Sequence, residues 1–194
     1  MRTTSPRLTI WLAAAALAAG PPTVLLARVK VHVNFDKKFD FKPARTWAWT
    51  PGQPGQIMMG RTADDDPKAA QKLAEPIILE EVASELGKRG LTAATGQPDL
   101  TVTYYLLLTT SINAQTVGQF LPATVNWGLP PFPQATQALK VMNAGSLVLD
   151  FSSKDDIVWR GVAQAELKMD TEPKKREAVL REAIRDLLRR FPPK

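Results

Sequence analysis

The stretch from Gly145 to Phe191 constrains this chain most, because it reads without a break as strand, tight turn, strand and amphipathic helix. Gly145-Ser146-Leu147-Val148-Leu149-Asp150-Phe151 and Ile157-Val158-Trp159-Arg160-Gly161-Val162-Ala163-Gln164-Ala165 flank the polar segment Ser152-Ser153-Lys154-Asp155-Asp156. Two apolar runs joined by turn-forming residues predict an antiparallel hairpin. A two-residue period sets Leu147, Leu149 and Phe151 against Trp159, Gly161, Ala163 and Ala165. The small residues of the second row let a helix backbone come close. That helix is predicted to open near Thr171-Glu172-Pro173, to place Leu180, Ile184, Leu187 and Phe191 on one stripe, and to stop at Pro192-Pro193. Arg181, Arg185 and Arg189 line another side, and with Glu177 and Asp186 four residues ahead of Arg181 and Arg190 they read as a water-facing surface.

Upstream, Val29 to Phe35 alternates apolar and polar residues, so Val29, Val31, Val33 and Phe35 face a core and His32, the only histidine, points with Lys30 and Asn34 to the polar side. Arg45-Thr46-Trp47-Ala48-Trp49-Thr50 is a second short strand with both indoles on one face. Pro51 to Arg61 reads as a loop. Asp64-Asp65-Asp66-Pro67 offers an N-cap with proline in the first turn, and Leu73, Ile77, Ile78, Val82 and Leu86 continue as a helix that Gly90 closes. Pro76 inside that pattern predicts a kink or a late start. Asp99 to Thr109 is the longest strand signal, with Leu100, Val102, Tyr104, Leu106 and Leu108 as its buried row.

The first 27 residues read as a secretory leader: Arg2 and Arg7 precede an apolar run from Leu8 to Ala19 that ends at Gly20-Pro21-Pro22. The run is too short for the roughly 20 residues that span a bilayer. Cleavage is placed between residues 18 and 27, leaving residues 28–194 as one domain exported to the periplasm. The chain has no cysteine, which excludes disulfides, a thiol nucleophile, thiolate metal sites and a thioether-linked lipid anchor. Its net charge of +6 falls further once Arg2 and Arg7 leave with the leader. That modest excess speaks against a nucleic-acid partner and supports at most a peripheral contact with an anionic membrane surface.

No motif for catalysis, metal or cofactor binding stands out. The lone His32 lies on a strand, no glycine-flanked serine elbow is present, and Asp155-Asp156 sits at a turn tip where adjacent carboxylates are solvated. From Asn113 to Asn143 no period persists, and Phe120, Trp127 and Phe132 are strung among prolines over a stretch longer than ordinary connections. Phe120, Trp127, Phe132 and Arg160, which lies on the row opposite Trp159, are the candidate binding residues.

Several of these pieces in this order resemble family 4136 of domains of unknown function: the Val-rich strand with Asp36, Phe41 to Trp49, Asp99-Leu100, Gly145, Trp159-Arg160-Gly161 and Phe191-Pro192-Pro193. The resemblance implies a small α+β domain on the periplasmic side of a Gram-negative envelope, with no catalytic residues to carry over. Gly20 stands where lipoproteins of that family have their lipid-bearing cysteine, and the connection from Asn113 to Asn143 is proline-rich where theirs are rich in glycine and tyrosine.

The expected fold is α+β, a mainly antiparallel sheet of about five strands with two helices packed on one face. The expected role is a non-enzymatic envelope module, with no cofactor, that binds an envelope protein or cell-surface component through an open sheet face or the long loop. A small-molecule or lipid carrier with an enclosed apolar cavity is the alternative.

Overall fold

Alternation in the sequence becomes pairing in the structure. The computed structural model describes residues 29–60, 66–109, 115–116, 140–141, 144–154, 156–166 and 171–192. In chain order the elements are β1 (Val29–Phe35), β2 (Thr46–Trp49), β3 (Gly55–Gly60), α1 (Pro67–Lys88), β4 (Thr92–Ala93), β5 (Leu100–Thr109), β6 (Gln115–Thr116), β7 (Lys140–Val141), β8 (Ala144–Ser153), β9 (Asp156–Glu166) and α2 (Pro173–Leu188). The leader, Phe120, Trp127, Phe132 and Asp155 lie outside the described residues.

A seven-stranded sheet runs in the order β1-β9-β8-β5-β2-β4, with β3 also paired to β5; β6 and β7 form a separate antiparallel pair. The hairpin of β8 and β9 sets the expected rows against each other, with Leu147 opposite Ala163, Leu149 opposite Gly161 and Phe151 opposite Trp159 and a register shift between Phe151 and Ser152. β5 and β1 continue the same rows: Leu106, Tyr104 and Val102 face the three β8 residues, and Val31, Val33 and Phe35 face the three of β9.

The α+β class holds, but the sheet is mixed and larger than the expected five mainly antiparallel strands. β2 and β3 both run parallel to β5, β2 along Leu100–Val102 and β3 along Tyr104–Thr109, and β4 runs parallel to β2. The cause is the crossover. A strand that leaves the sheet, returns through the whole of α1 and re-enters beside itself must be parallel, whereas only direct hairpins enforce antiparallel pairing. β3 also corrects the reading of Pro51 to Arg61 as a loop: its glycines and prolines hide a strand because Gly55 sits against Tyr104, where a Cβ would lie 2.3 Å from the ring.

Each helix end follows its sequence signal. Asp66 caps α1 through the Lys68 amide at 2.9 Å, with Pro67 in the first turn. At the other end Gly90 takes φ of 79°, and the amides of Gly90 and Leu91 close on the carbonyls of Gly87 and Leu86 at 3.0 and 3.1 Å. This is a Schellman closure, with the side chains of Leu86 and Leu91 both buried beside it. α1 runs through Pro76 as one element, and its buried row is Ile78, Val82 and Leu86, preceded by the partly buried Ala74. Leu73, expected in that row, is 75% exposed because the true stripe advances by four and falls on Ala74. α2 buries Val179, Ala183, Ile184, Leu187 and Leu188.

Both helices join one core with the inner rows of β5, β8 and β9. Trp159 lies in that core, fully buried, edge-on to Phe151 at 5.2 Å and to Phe191 at 5.3 Å. Its ring crosses Gly161, whose absent Cβ would stand 2.3 Å from the indole and 2.8 Å from Leu187. Trp47 is buried and meets Trp49 edge-on at 5.5 Å, so the pair of indoles belongs to the core. His32 is exposed, as the alternation of β1 requires.

The opposite face departs from expectation, because along β5, β8 and β9 it is not open. Leu107, Ser146, Val148, Asp150, Arg160 and Val162 alternate with the inner row and are all nearly inaccessible to solvent.

Candidate functional site

Strand directions bring three connections together at one end of the sheet. β1 and β8 end there, and β2, β5 and β9 begin there, so the link of residues 36–45, the link of residues 94–99 and the turn at Lys154 converge. Between them lies a groove of about 770 Å³ lined by Phe39, Asp40, Pro43, Ala44, Gln97, Pro98, Asp99, Thr101, Ser153 and Lys154.

Backbone-directed carboxylates build its walls. Oδ2 of Asp99 accepts the amides of Arg45 and Thr46, both at 2.9 Å, and the Thr46 hydroxyl at 2.8 Å, while the Thr46 Oγ1 accepts the Asp99 amide at 3.0 Å. This latch joins the start of β2 to the start of β5 across more than fifty residues of chain. The Arg45 amide, the Thr46 hydroxyl and the Thr46 amide together hold the Asp99 carboxyl below its ordinary pKa. Asp36 and Asp40 each accept the amide two residues on, from Lys38 at 2.8 Å and Lys42 at 3.0 Å, which folds the first link into consecutive turns. Phe39 stacks edge-on against Phe41 at 4.8 Å, and Phe41 meets Phe191 at 5.8 Å, so this wall is rooted in the core. Lys154 closes the far side from the left-handed region, with φ of 56°.

The structure places Arg160 elsewhere. It is 1% exposed on the face turned from the helices, where Nε and Nη2 donate to Oδ1 and Oδ2 of Asp150, each at 2.5 Å. The guanidinium is therefore buried rather than displayed on an exposed strand face. Thr103, Asp150, Arg160 and Asn34 occupy successive cross-strand positions in one polar row. Burial, the largest influence on Asp150, raises its pKa against the opposing hydrogen bonds and charge of Arg160.

Of the arginines of α2, Arg185 and Arg189 are exposed, as the water-facing reading expects, and Arg181 is partly buried. Arg181 bonds Glu80, Glu81 and Glu177, and Arg185 bonds Glu81 at 2.6 Å. Arg89 and Lys88 hold Glu85 at 2.7 Å each. The bonds of Arg181 and Arg185 to Glu80 and Glu81 join the two helices, whereas those of Glu85 stay within the C-terminal end of α1. Among the described residues no group of His, Asp and Glu side chains is arranged to hold a metal ion, and no helix is long and apolar enough to cross a membrane.

The sequence hides the groove because its lining comes from three separate connections, of which only the turn at residues 152–156 carries a local signal. The other available signal was Asp99 at the head of the longest strand, a carboxylate placed where free backbone amides need acceptors.

Residues 31–193 match the profile of a domain of unknown function, DUF4136. The chain belongs to this family. DUF4136 members include a solved protein from Bacteroides thetaiotaomicron, 16% identical to this chain with a TM-score of 0.45, covering 84% of this chain and 96% of that one. A PDZ domain protein from Parabacteroides distasonis is 11% identical with a TM-score of 0.49; 89% of this chain is covered, and the match spans only 38% of that longer chain. The PelC dodecamer from Paraburkholderia phytofirmans is 8% identical with a TM-score of 0.40, over 83% of this chain and 95% of that one. No curated protein matches this chain.

Proposed function

We propose that this DUF4136 chain is an exported, non-enzymatic module of a Gram-negative cell envelope that binds a cell-surface component or envelope protein in the groove at the end of its sheet. The observation that carries the reading is the groove itself: three connections, two of them held in place by side-chain latches, converge on one concave surface of mixed apolar and polar lining. Irregular segments held on a rigid sheet are a common way to build recognition surfaces. The open, mixed lining favours an interaction module over a carrier, which needs an enclosed apolar cavity. Export rests on the charged and apolar pattern of residues 1–27.

Photo-crosslinking in intact envelopes tests the binding role. A benzophenone residue at Gln97 or Ser153, in the groove, is expected to give a discrete adduct, and one at Leu73, on the outer side of α1, is expected to give none. Equal labelling from all three positions, or none from the groove, would reject the groove as the binding surface. N-terminal sequencing of the protein recovered from a periplasmic fraction checks export, with a mature end between residues 19 and 28 expected.

A further inference from the structure

We infer that Asp99 is an acid-sensitive latch on the groove: its ionised carboxylate holds two of the walls together, and its protonation lets them part. This is a means of controlling the groove and rests on the binding role proposed above. The position of the latch is what gives it that control. Pro43 and Ala44 in one wall directly precede Arg45 and Thr46, and Gln97 and Pro98 in the other directly precede Asp99. Three donors that follow the first wall, the Arg45 amide, the Thr46 amide and the Thr46 hydroxyl, end on the single oxygen Oδ2 of Asp99 in the second. What holds without the latch lies deeper. Trp47 pairs with Leu100, the Thr92 amide bonds the Arg45 carbonyl at 2.9 Å, and Phe39 and Phe41 root the link in the core. Release of Asp99 therefore frees the stretch from Lys42 to Thr46 and leaves the sheet folded.

Ionisation sets the state of the latch. A carboxylate is an acceptor only and binds all three donors with the strength of a charged group, whereas a carboxylic acid is a weaker acceptor and adds an O–H among those donors. Asp99 is exposed, so water can take up the released amides. The Arg45 amide, the Thr46 hydroxyl and the Thr46 amide hold its carboxyl below the ordinary value, so the latch favours the closed groove above that value and fails as pH falls through the lowered one. Other charged groups stand nearby. Asp40 and Lys154 line the same groove, and Lys42 and Arg45 belong to the adjoining link, where the Arg45 guanidinium donates to the carbonyls of Lys42 and Ala44 and its charge is a minor influence on Asp99. The link of residues 94–98 carries no titratable side chain. Asp40 is the rival for any acid response of the lining, since it accepts the Lys42 amide at 3.0 Å.

An amide-resolved NMR titration of the mature chain from neutral to acid pH, repeated on Asp99→Asn, Asp40→Asn and Thr46→Val, separates the two. The amides of Lys42, Ala44, Arg45, Thr46, Gln97 and Thr101 are expected to shift together at a midpoint below the ordinary carboxylate range. Below it, the Arg45 and Thr46 amides are expected to exchange about tenfold faster, as loss of a bond to a charged acceptor allows. The transition is expected to vanish in Asp99→Asn, to persist in Asp40→Asn, and to move to higher pH in Thr46→Val, which lacks one of the donors that lower the carboxyl. Asp99→Asn is also expected to lose the Gln97 crosslink in envelopes at neutral pH. A transition that survives in Asp99→Asn, that disappears in Asp40→Asn, or that carries the amides of β8 and β9 with it as global unfolding would, overturns the latch. A full Gln97 crosslink from Asp99→Asn overturns its control of the groove. If the native chain titrates as expected but gives no groove crosslink, the binding role falls and the acid-sensitive latch stands; if it crosslinks but does not titrate, only the latch falls.

Discussion

At the scale of single residues, the Trp159-Arg160-Gly161 motif has a physical account for each member. Trp159 fills the core, Gly161 makes room for its ring, and Arg160 turns to the other face to meet Asp150. Gly161→Ala is therefore expected to destabilise the protein by about 1–3 kcal/mol, the usual cost of overpacking a filled core. Gly96, around which a Cβ meets nothing within 4 Å, supplies the control: Gly96→Ala is expected to change stability by less than about 1 kcal/mol. Urea unfolding of the two variants checks the contrast, and equal losses would refute the steric argument. The buried pair makes a second prediction at this scale. Asp150→Asn removes the carboxylate that the buried Arg160 guanidinium bonds twice and is expected to cost about 3–5 kcal/mol, whereas replacing both by apolar residues costs less than the sum of the single changes. A double-mutant cycle reads the coupling, and additivity would show that the pair does not act as one unit.

At the scale of elements, the two helices are joined by charge as well as by apolar packing. Desolvation is the largest influence on Glu81 and pushes its carboxyl up, but the hydrogen bonds of Arg185 and Arg181, followed by their charges, outweigh it and hold the pKa below the ordinary 4.5. Glu85 has the same balance, with desolvation opposed by Lys88 and Arg89. A carboxyl whose pKa is lowered by folding stabilises the native state at pH values above its unfolded pKa, and that stabilisation is lost as pH falls through the folded value. Acidification from neutrality to below the ordinary carboxylate range is thus expected to loosen the contact between α1 and α2. Glu81→Gln is expected to be less stable at neutral pH and to lose less stability on acidification than the native chain, as measured by urea unfolding at several pH values. Parallel pH profiles for the two proteins would sink the idea. The sequence showed the carboxylates and the arginines but not their meeting, because the pairs cross from one helix to the other over about a hundred residues and no local spacing encodes that. Within α2 the expected pair of Glu177 with Arg181 forms, whereas Asp186 pairs with Arg189 and not with Arg190, which reaches the Val31 carbonyl instead.

At the scale of the whole molecule, period and punctuation revealed every strand that carries its own alternating row and which rows of β8 and β9 face the core, while the register of the pair is set by a shift between Phe151 and Ser152 that the turn does not encode. What they could not reveal was non-local. The parallel placement of β2 and β3 on β5 depends on how α1 crosses back over the sheet, and the groove exists only because five strand ends coincide. The candidates Phe120, Trp127 and Phe132 fall outside the described residues, and Arg160 spends its charge on Asp150.

The order of the sheet, with β1 at one edge, makes a prediction of its own. The Asp36 amide donates to the Val158 carbonyl at 2.8 Å, and Asp36 continues the antiparallel register in which Asn34 faces Arg160 and His32 faces Val162. Antiparallel geometry then turns the amides of His32 and Asn34 toward β9 and those of Val31 and Val33 away from the sheet. Arg190 occupies the outward carbonyl of Val31 at 2.8 Å, which blunts the edge with a charge. Hydrogen exchange is expected to alternate along β1, slow at His32 and Asn34 and fast at Val31 and Val33, with the slowest amides of all in β8 and β9 where both faces are buried. Uniform protection through β1 would mean that a further strand covers this edge in solution. Arg190→Ala, by freeing the Val31 carbonyl, is expected to promote such pairing, visible as concentration-dependent protection of Val31 and Val33.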